Sequence, residues 1–227
     1  MRIDEMNWFS VEQYLKSDDR LMLVTGACEQ HGYLSLLTDA KIPLALAEAA
    51  SEKTGVLVAP VINFGSLPYF LAYPGTISLR ITTLLAVVED IIRSVYRQGF
   101  RRILVLNGHG GNTPVSGLMS ELANQMPDLK MNFYSWWKSC AVEAVSQRHG
   151  LEPNHANWLE AFSFTVVADL PTGKKPSVEL PCILAADQTR EMLGDGVYGG
   201  HYKGDPKIMD ELFEITLGEV LQQLKFE

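Results

Sequence analysis

Four short apolar runs constrain this chain more than any other feature. They are Leu21-Met22-Leu23-Val24-Thr25, Val56-Leu57-Val58-Ala59-Pro60, Arg102-Ile103-Leu104-Val105-Leu106 and Lys130-Met131-Asn132-Phe133-Tyr134. A strand with one wet face alternates apolar and polar residues, whereas a continuous apolar run is covered on both faces. Helical patterns over residues 39–53, 82–98 and 113–126 lie between the runs, so strand and helix alternate. The expectation is an α/β fold with a mainly parallel sheet under helices on both sides. Further helices are expected over 156–167 and 206–224. Residues 171–202 are rich in Pro and Gly and read as extended loop with at most a short helix. A second long loop covers 63–78. With no linker composition and no repeat, the reading is one domain over 1–227.

Composition narrows the partners. Hydrophobic residues at 47% and charged residues at 20% suit a packed globular chain and exclude a disordered one. Nineteen Lys and Arg against 27 Asp and Glu leave a formal charge of −8, which repels nucleic acid and anionic membrane surfaces. A small-molecule partner is therefore expected. The N-terminal residues are polar and acidic, no apolar run is long enough to span a bilayer, and Cys28, Cys140 and Cys182 have no framework spacing. A cytoplasmic location is the resulting expectation.

In open parallel sheets, ligands bind beyond the carboxyl ends of the strands. That rule selects Gly26-Ala27-Cys28-Glu29-Gln30-His31-Gly32 after the first run, with Asp39 at the next helix start, and Asn107-Gly108-His109-Gly110-Gly111-Asn112 after the third. Glu29, His31, Asp39 and His109 are carboxylate and imidazole donors suited to zinc, manganese or iron. Neighbouring strands lie about 4.8 Å apart, so loops leaving one sheet edge can converge on one ion. Each residue also has a plain structural role open to it: a turn histidine, or for Asp39 a helix cap. The glycine-rich turn at 107–112 could instead cradle phosphate, although GxGxxG and the Walker lysine are absent. Cys28, close in sequence to His31, could be a thiol nucleophile. Trp136-Trp137 and Tyr69-Phe70 are candidate pocket walls, with core packing as the alternative. His149 and His201 lack a motif and read as surface residues.

Together these segments resemble the creatininase, or creatinine amidohydrolase, family. The likeness runs through Gly26–Gly32, Leu36-Leu37-Thr38-Asp39, Tyr73-Pro74-Gly75-Thr76-Ile77-Ser78-Leu79, Asn107–Asn112, His155-Ala156 and Glu160. It implies a three-layer α/β/α sandwich, one or two divalent metals (Zn, Mn or Fe) per chain, a small-molecule amide substrate and a homo-oligomer, often a hexamer. It also implies that Glu29, His31, Asp39 and His109 are metal ligands, with Asp39 bridging two ions. His155 matches a histidine that passes protons to the leaving nitrogen, and Glu160 a carboxylate that ligates or orients. A helix over 156–167 would set these two about a turn and a half apart.

The chain departs from the family pattern in three places. The loop 32–36 is one residue shorter and lacks a second histidine. Gly111 stands where creatinine-hydrolysing members carry Glu, and Ala161-Phe162 replace Thr-Ser. The expected activity is hydrolysis of a non-peptide or cyclic C–N bond by metal-activated water. The competing expectation is a metal- or ligand-binding relative whose catalysis is impaired by the altered loop and Gly111.

Overall fold

Residue order and burial explain the layers. The computed structural model describes residues 1–227. After a short helix α1 (Trp8–Tyr14), the sheet strands are β1 (Arg20–Thr25), β2 (Leu57–Val58), β3 (Arg102–Asn107) and β4 (Lys130–Ser135). They pair in parallel in the order β2-β1-β3-β4. Three helices connect them: α2 (Thr38–Thr54), α3 (Ile81–Gln98) and α4 (Val115–Gln125). The runs of β1, β2 and β3 lack alternation because both faces are covered, whereas the edge strand β4 is only partly buried and alternates Lys130, Met131, Asn132 and Phe133. Met22, Val24, Leu104 and Leu106 pack against α2 and two later helices, α5 (Cys140–His149) and a C-terminal one, through Leu46, Val145, Leu212 and Val220. Leu21, Leu23, Ile103 and Val105 point the other way, onto Leu84, Val88 and Leu122 of α3 and α4. The result is the expected α/β/α sandwich.

The remaining elements are β5 (Lys174–Lys175), α6 (Ala186–Leu193), β6 (Gly200–His201) and α7 (Pro206–Gln223), with β5 and β6 forming a two-stranded antiparallel ribbon. Residues 171–202 are thus mostly loop around one short helix, as their composition indicates. The helix expected over 156–167 does not form. Ala156 takes a left-handed φ of 59°, and a single 3-10 turn, Trp158–Glu160, follows it. Side chains take over the local hydrogen bonding: Asn157 accepts from the Leu159 amide, and Thr165 donates to the Glu160 carbonyl. Such local bonds compete with a helix ladder. Two helices escaped the apolar pattern but carry legible caps. Asn7 and Ser139 accept from the amides of Ser10 and Val142 at the starts of α1 and α5, and Gly150 closes α5 in a left-handed conformation.

Candidate metal centre

The order β2-β1-β3-β4 places the switch point between β1 and β3, where the connections leaving the two strands run to opposite faces of the sheet, α2 on one and α4 on the other. Thr25 and Asn107 end the two strands in register, and the Thr25 hydroxyl donates to Asn107 Oδ1 at 3.1 Å. The loops beyond them carry Glu29, His31 and His109, and the first turn of α2 supplies Asp39. His155 and Glu160 arrive from the irregular segment after α5 and complete the wall.

Asp39 lies at the middle of this group. Its Oδ1 is 3.0 Å from His31 Nε2 and its Oδ2 3.0 Å from His109 Nδ1. His109 Nδ1 is also 2.6 Å from Glu29 Oε2, and His31 Nε2 is 3.7 Å from Glu160 Oε1. Two donor groups result, Glu29–Asp39–His109 and His31–His155–Glu160, each with its ligand atoms within 4.8 Å of one another. The outer ring nitrogens of the two histidines are engaged. His31 Nδ1–H donates to the Glu29 carbonyl at 3.1 Å, and His109 Nε2–H donates to the Ser66 carbonyl at 3.0 Å. Their inner nitrogens are left facing the carboxylates, the arrangement in which an outer hydrogen bond orients a histidine that could ligate a metal.

Glu29 Oε2, His31 Nε2 and Asp39 Oδ2 are buried without a hydrogen-bond partner. A buried polar atom left alone costs about 1–3 kcal/mol, and more if charged. Two of them face His109 Nδ1 and the third faces the other oxygen of Asp39, so the group needs positive charge among its carboxylates. A divalent ion fits that requirement and these donors. Without one, protons serve: burial disfavours charged His31 and His109, but Asp39 with Glu160, and Glu29 with Asp39, outweigh it and hold both imidazoles well above their usual pKa. Burial likewise opposes ionisation of Asp39, yet the two histidines keep its carboxyl well below the carboxylate range. Burial and the charge of Asp39 push Glu29 up to about 7. His155 is pushed down to about 4, by burial first and then by His31.

A cavity of about 390 Å³ opens over these groups, walled by Tyr69, Phe70, Trp137, Asn154 and Tyr198. Tyr69, Phe70 and Trp137 therefore line the site as the loop positions suggest, while Trp136 is core. The phosphate reading of 107–112 fails on sign, since the turn faces Glu29 and Asp39. The Cys28 thiol donates to the Gly75 carbonyl at 3.3 Å, and burial pushes its pKa up, the reverse of an activated nucleophile. His149 pairs with Glu211 at 2.9 Å outside the site, and His201 is exposed in β6. Four contributors were not foreseen, of which Asn154 and Tyr198 stand in the cavity wall. The Ser66 carbonyl leaves no sequence signal because it is main chain, and Gln30, inside the first motif, bonds to His155.

Glu160 is reached differently from the helix expected there. Its Oε2 accepts from the Ala156 amide at 2.6 Å while Oε1 faces His31, so the left-handed turn at Ala156 brings His155 and Glu160 to the same ring.

A family model described as creatininase, creatinine amidohydrolase, matches residues 4–224. Creatinine amidohydrolase of Pseudomonas putida is 33% identical over 159 residues, 64% of this chain and 61% of that protein. The 3-dehydro-scyllo-inosose hydrolase of Thermotoga maritima is 27% identical over 64% of this chain and 48% of its own. The mycofactocin precursor peptide peptidase of Mycolicibacterium smegmatis is 34% identical over 45% and 44%. The chain thus aligns with less than two thirds of each of these relatives. Among solved structures, one described as "Creatininase Mn" superposes with a TM-score of 0.79 at 22% identity, over 99% of this chain and 97% of that one. A mutant creatininase described as Zn-Zn type gives 0.78 at 23% identity, over 99% and 96%.

Proposed function

The chain belongs to the creatininase family, and on that premise we propose that it is a metal-dependent amidohydrolase. Its substrate would be a small molecule with a non-peptide or cyclic C–N bond, an amide or formamide. One observation carries this reading: the two oxygens of Asp39 each stand 3.0 Å from the inner nitrogen of a different histidine. A carboxylate so placed is suited to bridge two ions. Glu29, Asp39 and His109 would hold one, and Asp39, His31 and Glu160 the other. Zinc, manganese and iron all suit these donors, and the Zn-Zn and Mn creatininases support the first two. A bound ion would supply Lewis-acid polarisation of the carbonyl and acidification of a water.

The chain's own residues do the rest. Tyr69, Phe70 and Trp137 would hold a flat amide against the metal-facing carboxylates and exclude bulk water. His155, stacked on Phe70 at 5.1 Å between ring centres, has its pKa pushed down by burial, so its neutral ring would take a proton from the attacking water and pass one to the departing nitrogen. Assembly as a homo-oligomer, as a hexamer by family likeness, and action in the cytoplasm on a small molecule rather than nucleic acid or membrane belong to the same proposal. The unpaired cysteines and the charge of −8 support the latter two.

A second reading, a metal-holding relative without turnover, draws on Gly111, which offers no carboxylate. The deciding experiment is elemental analysis of the purified protein beside His109→Ala. One or two equivalents of zinc, manganese or iron, reduced in the variant, support the centre, and a screen of amides and formamides with that metal then separates hydrolase from binder. No metal after incubation with each ion would sink both readings.

A further inference from the structure

Gln30 lies between two proposed ligands in the sequence, yet its side-chain hydrogen bonds go to neither. It is 4% exposed. Its Oε1 accepts from the Gly32 amide at 3.1 Å, and its Nε2 donates to the Gly196 carbonyl at 3.0 Å. These partners fix the amide's orientation: an N–H faces the oxygen and a carbonyl faces the nitrogen, so a flipped amide would lose both bonds. The second hydrogen on Nε2 is left for the remaining neighbour, His155 Nε2, at 3.0 Å. A nitrogen that receives a hydrogen bond cannot carry its own proton.

We propose that Gln30 is a positioning residue that fixes the tautomer of His155, leaving Nε2 as acceptor and placing the ring proton on Nδ1. The Gln30 carbonyl, 3.2 Å from the same Nε2, is the rival partner and would select the opposite tautomer. The amide contact is the shorter, and its donor has no other free acceptor. A relay through the ring would then take its incoming proton at Nε2, where the Gln30 carbonyl can accept the new N–H, and give the one on Nδ1 to the leaving group. This consequence rests on the hydrolase reading, whereas the tautomer does not. The same amide ties His155 to the loop 194–200: a Cβ on Gly196 would lie 1.8 Å from Gln30 Oε1, so that loop and the amide were fitted together. Phe70 stacks on the ring, and His31 lies 4.5 Å from it between ring centres, so its rotation is already restricted. What remains for Gln30 to decide is the proton.

The test is long-range ¹H–¹⁵N NMR of the imidazoles in the zinc-loaded full chain, labelled at histidine, with His155→Asn used for assignment. Wild type should show His155 protonated at Nδ1 and bare at Nε2. Gln30→Glu, which replaces the donor by an acceptor, should move the proton to Nε2 or give an imidazolium. Gly196→Ala should release the preference by displacing the amide from the other side. Zinc per chain, measured on each sample, should stay at the wild-type value. For any amide the wild type hydrolyses, Gln30→Glu should lower kcat at least tenfold with KM unchanged. A wild-type Nε2–H tautomer, or a tautomer that Gln30→Glu leaves unmoved in folded, zinc-loaded protein, would overturn the assignment. The expected tautomer in a chain that hydrolyses no amide would uphold Gln30 and remove the hydrolase reading instead.

Discussion

Substituting Gly111 by alanine should weaken metal binding without touching a ligand. A Cβ built at this position lies 1.8 Å from the Ser66 carbonyl oxygen and 2.6 Å from His109 Nε2. Ordinary contact needs more than 3 Å, so the carbonyl must retreat by over an ångström. It is the acceptor that holds His109 Nε2–H at 3.0 Å and so keeps Nδ1 turned toward Glu29 and Asp39. Losing such an outer hydrogen bond typically costs 10–100-fold in metal affinity, about 1.4–2.8 kcal/mol. The assay is equilibrium competition for zinc against a chromogenic chelator, on wild type, Gly111→Ala and Ser66→Ala. Ser66→Ala keeps the main-chain carbonyl and should bind as wild type does. Gly111→Ala holding zinc within twofold of wild type, with Tm unchanged, would refute the link between the Ser66 carbonyl and the ligand. Gly111→Glu meets the same obstacle. It should disturb His109 rather than restore the carboxylate that creatinine-hydrolysing members carry.

His155→Ala should lower turnover of any amide substrate while elemental analysis finds metal unchanged; parallel metal loss would make His155 a ligand. Glu160→Ala should remove one of two equivalents and keep the ion beside Glu29 and His109, so a full complement in that variant would return Glu160 to an orienting role. Leu104, fully buried in the central strand, should cost about 2–5 kcal/mol when cut to alanine, read as a drop in the denaturant midpoint. At Asp18, burial would raise the pKa, but Arg20 at 2.5 Å and Arg102 at 3.3 Å outweigh it and hold the carboxyl below its usual value. A depressed folded pKa stabilises above the unfolded value of about 3.9 and is lost as pH falls through the folded one. The advantage of wild type over Asp18→Asn, about 1 kcal/mol or less for a pair at the surface, should therefore be full at pH 7 and vanish in acid, as followed by thermal melts.

The sheet was legible because burial on both faces writes a continuous apolar run, and β1 and β3 begin and end within a residue of the expected bounds. The strand expected over 56–60 shrinks to Leu57–Val58, since Pro60 has no amide to continue the ladder. The positions of Glu29, His31, Asp39 and His109 followed from strand ends and a helix start, which local patterns encode. The approach of His155 and Glu160 did not, because it depends on a left-handed alanine and on side chains of Asn157 and Thr165 bonding to main chain. No periodicity records such bonds. Caps at Ser139 and Gly150 could have revealed α5, whose apolar face is short and hidden among polar residues.

The packing of α2 on α7 bears on how the centre comes into being during synthesis. Glu29, Asp39 and His109 have all been translated by residue 109, but Asp39 rides on a helix whose inner face, through Leu46, is covered by Leu212 and Val220 near the C-terminus. Contacts so distant in sequence pay their closure entropy late. A nascent chain therefore carries Glu29, Asp39 and His109 before α7 exists, and α2 gains its cover over Leu46 only when α7 docks.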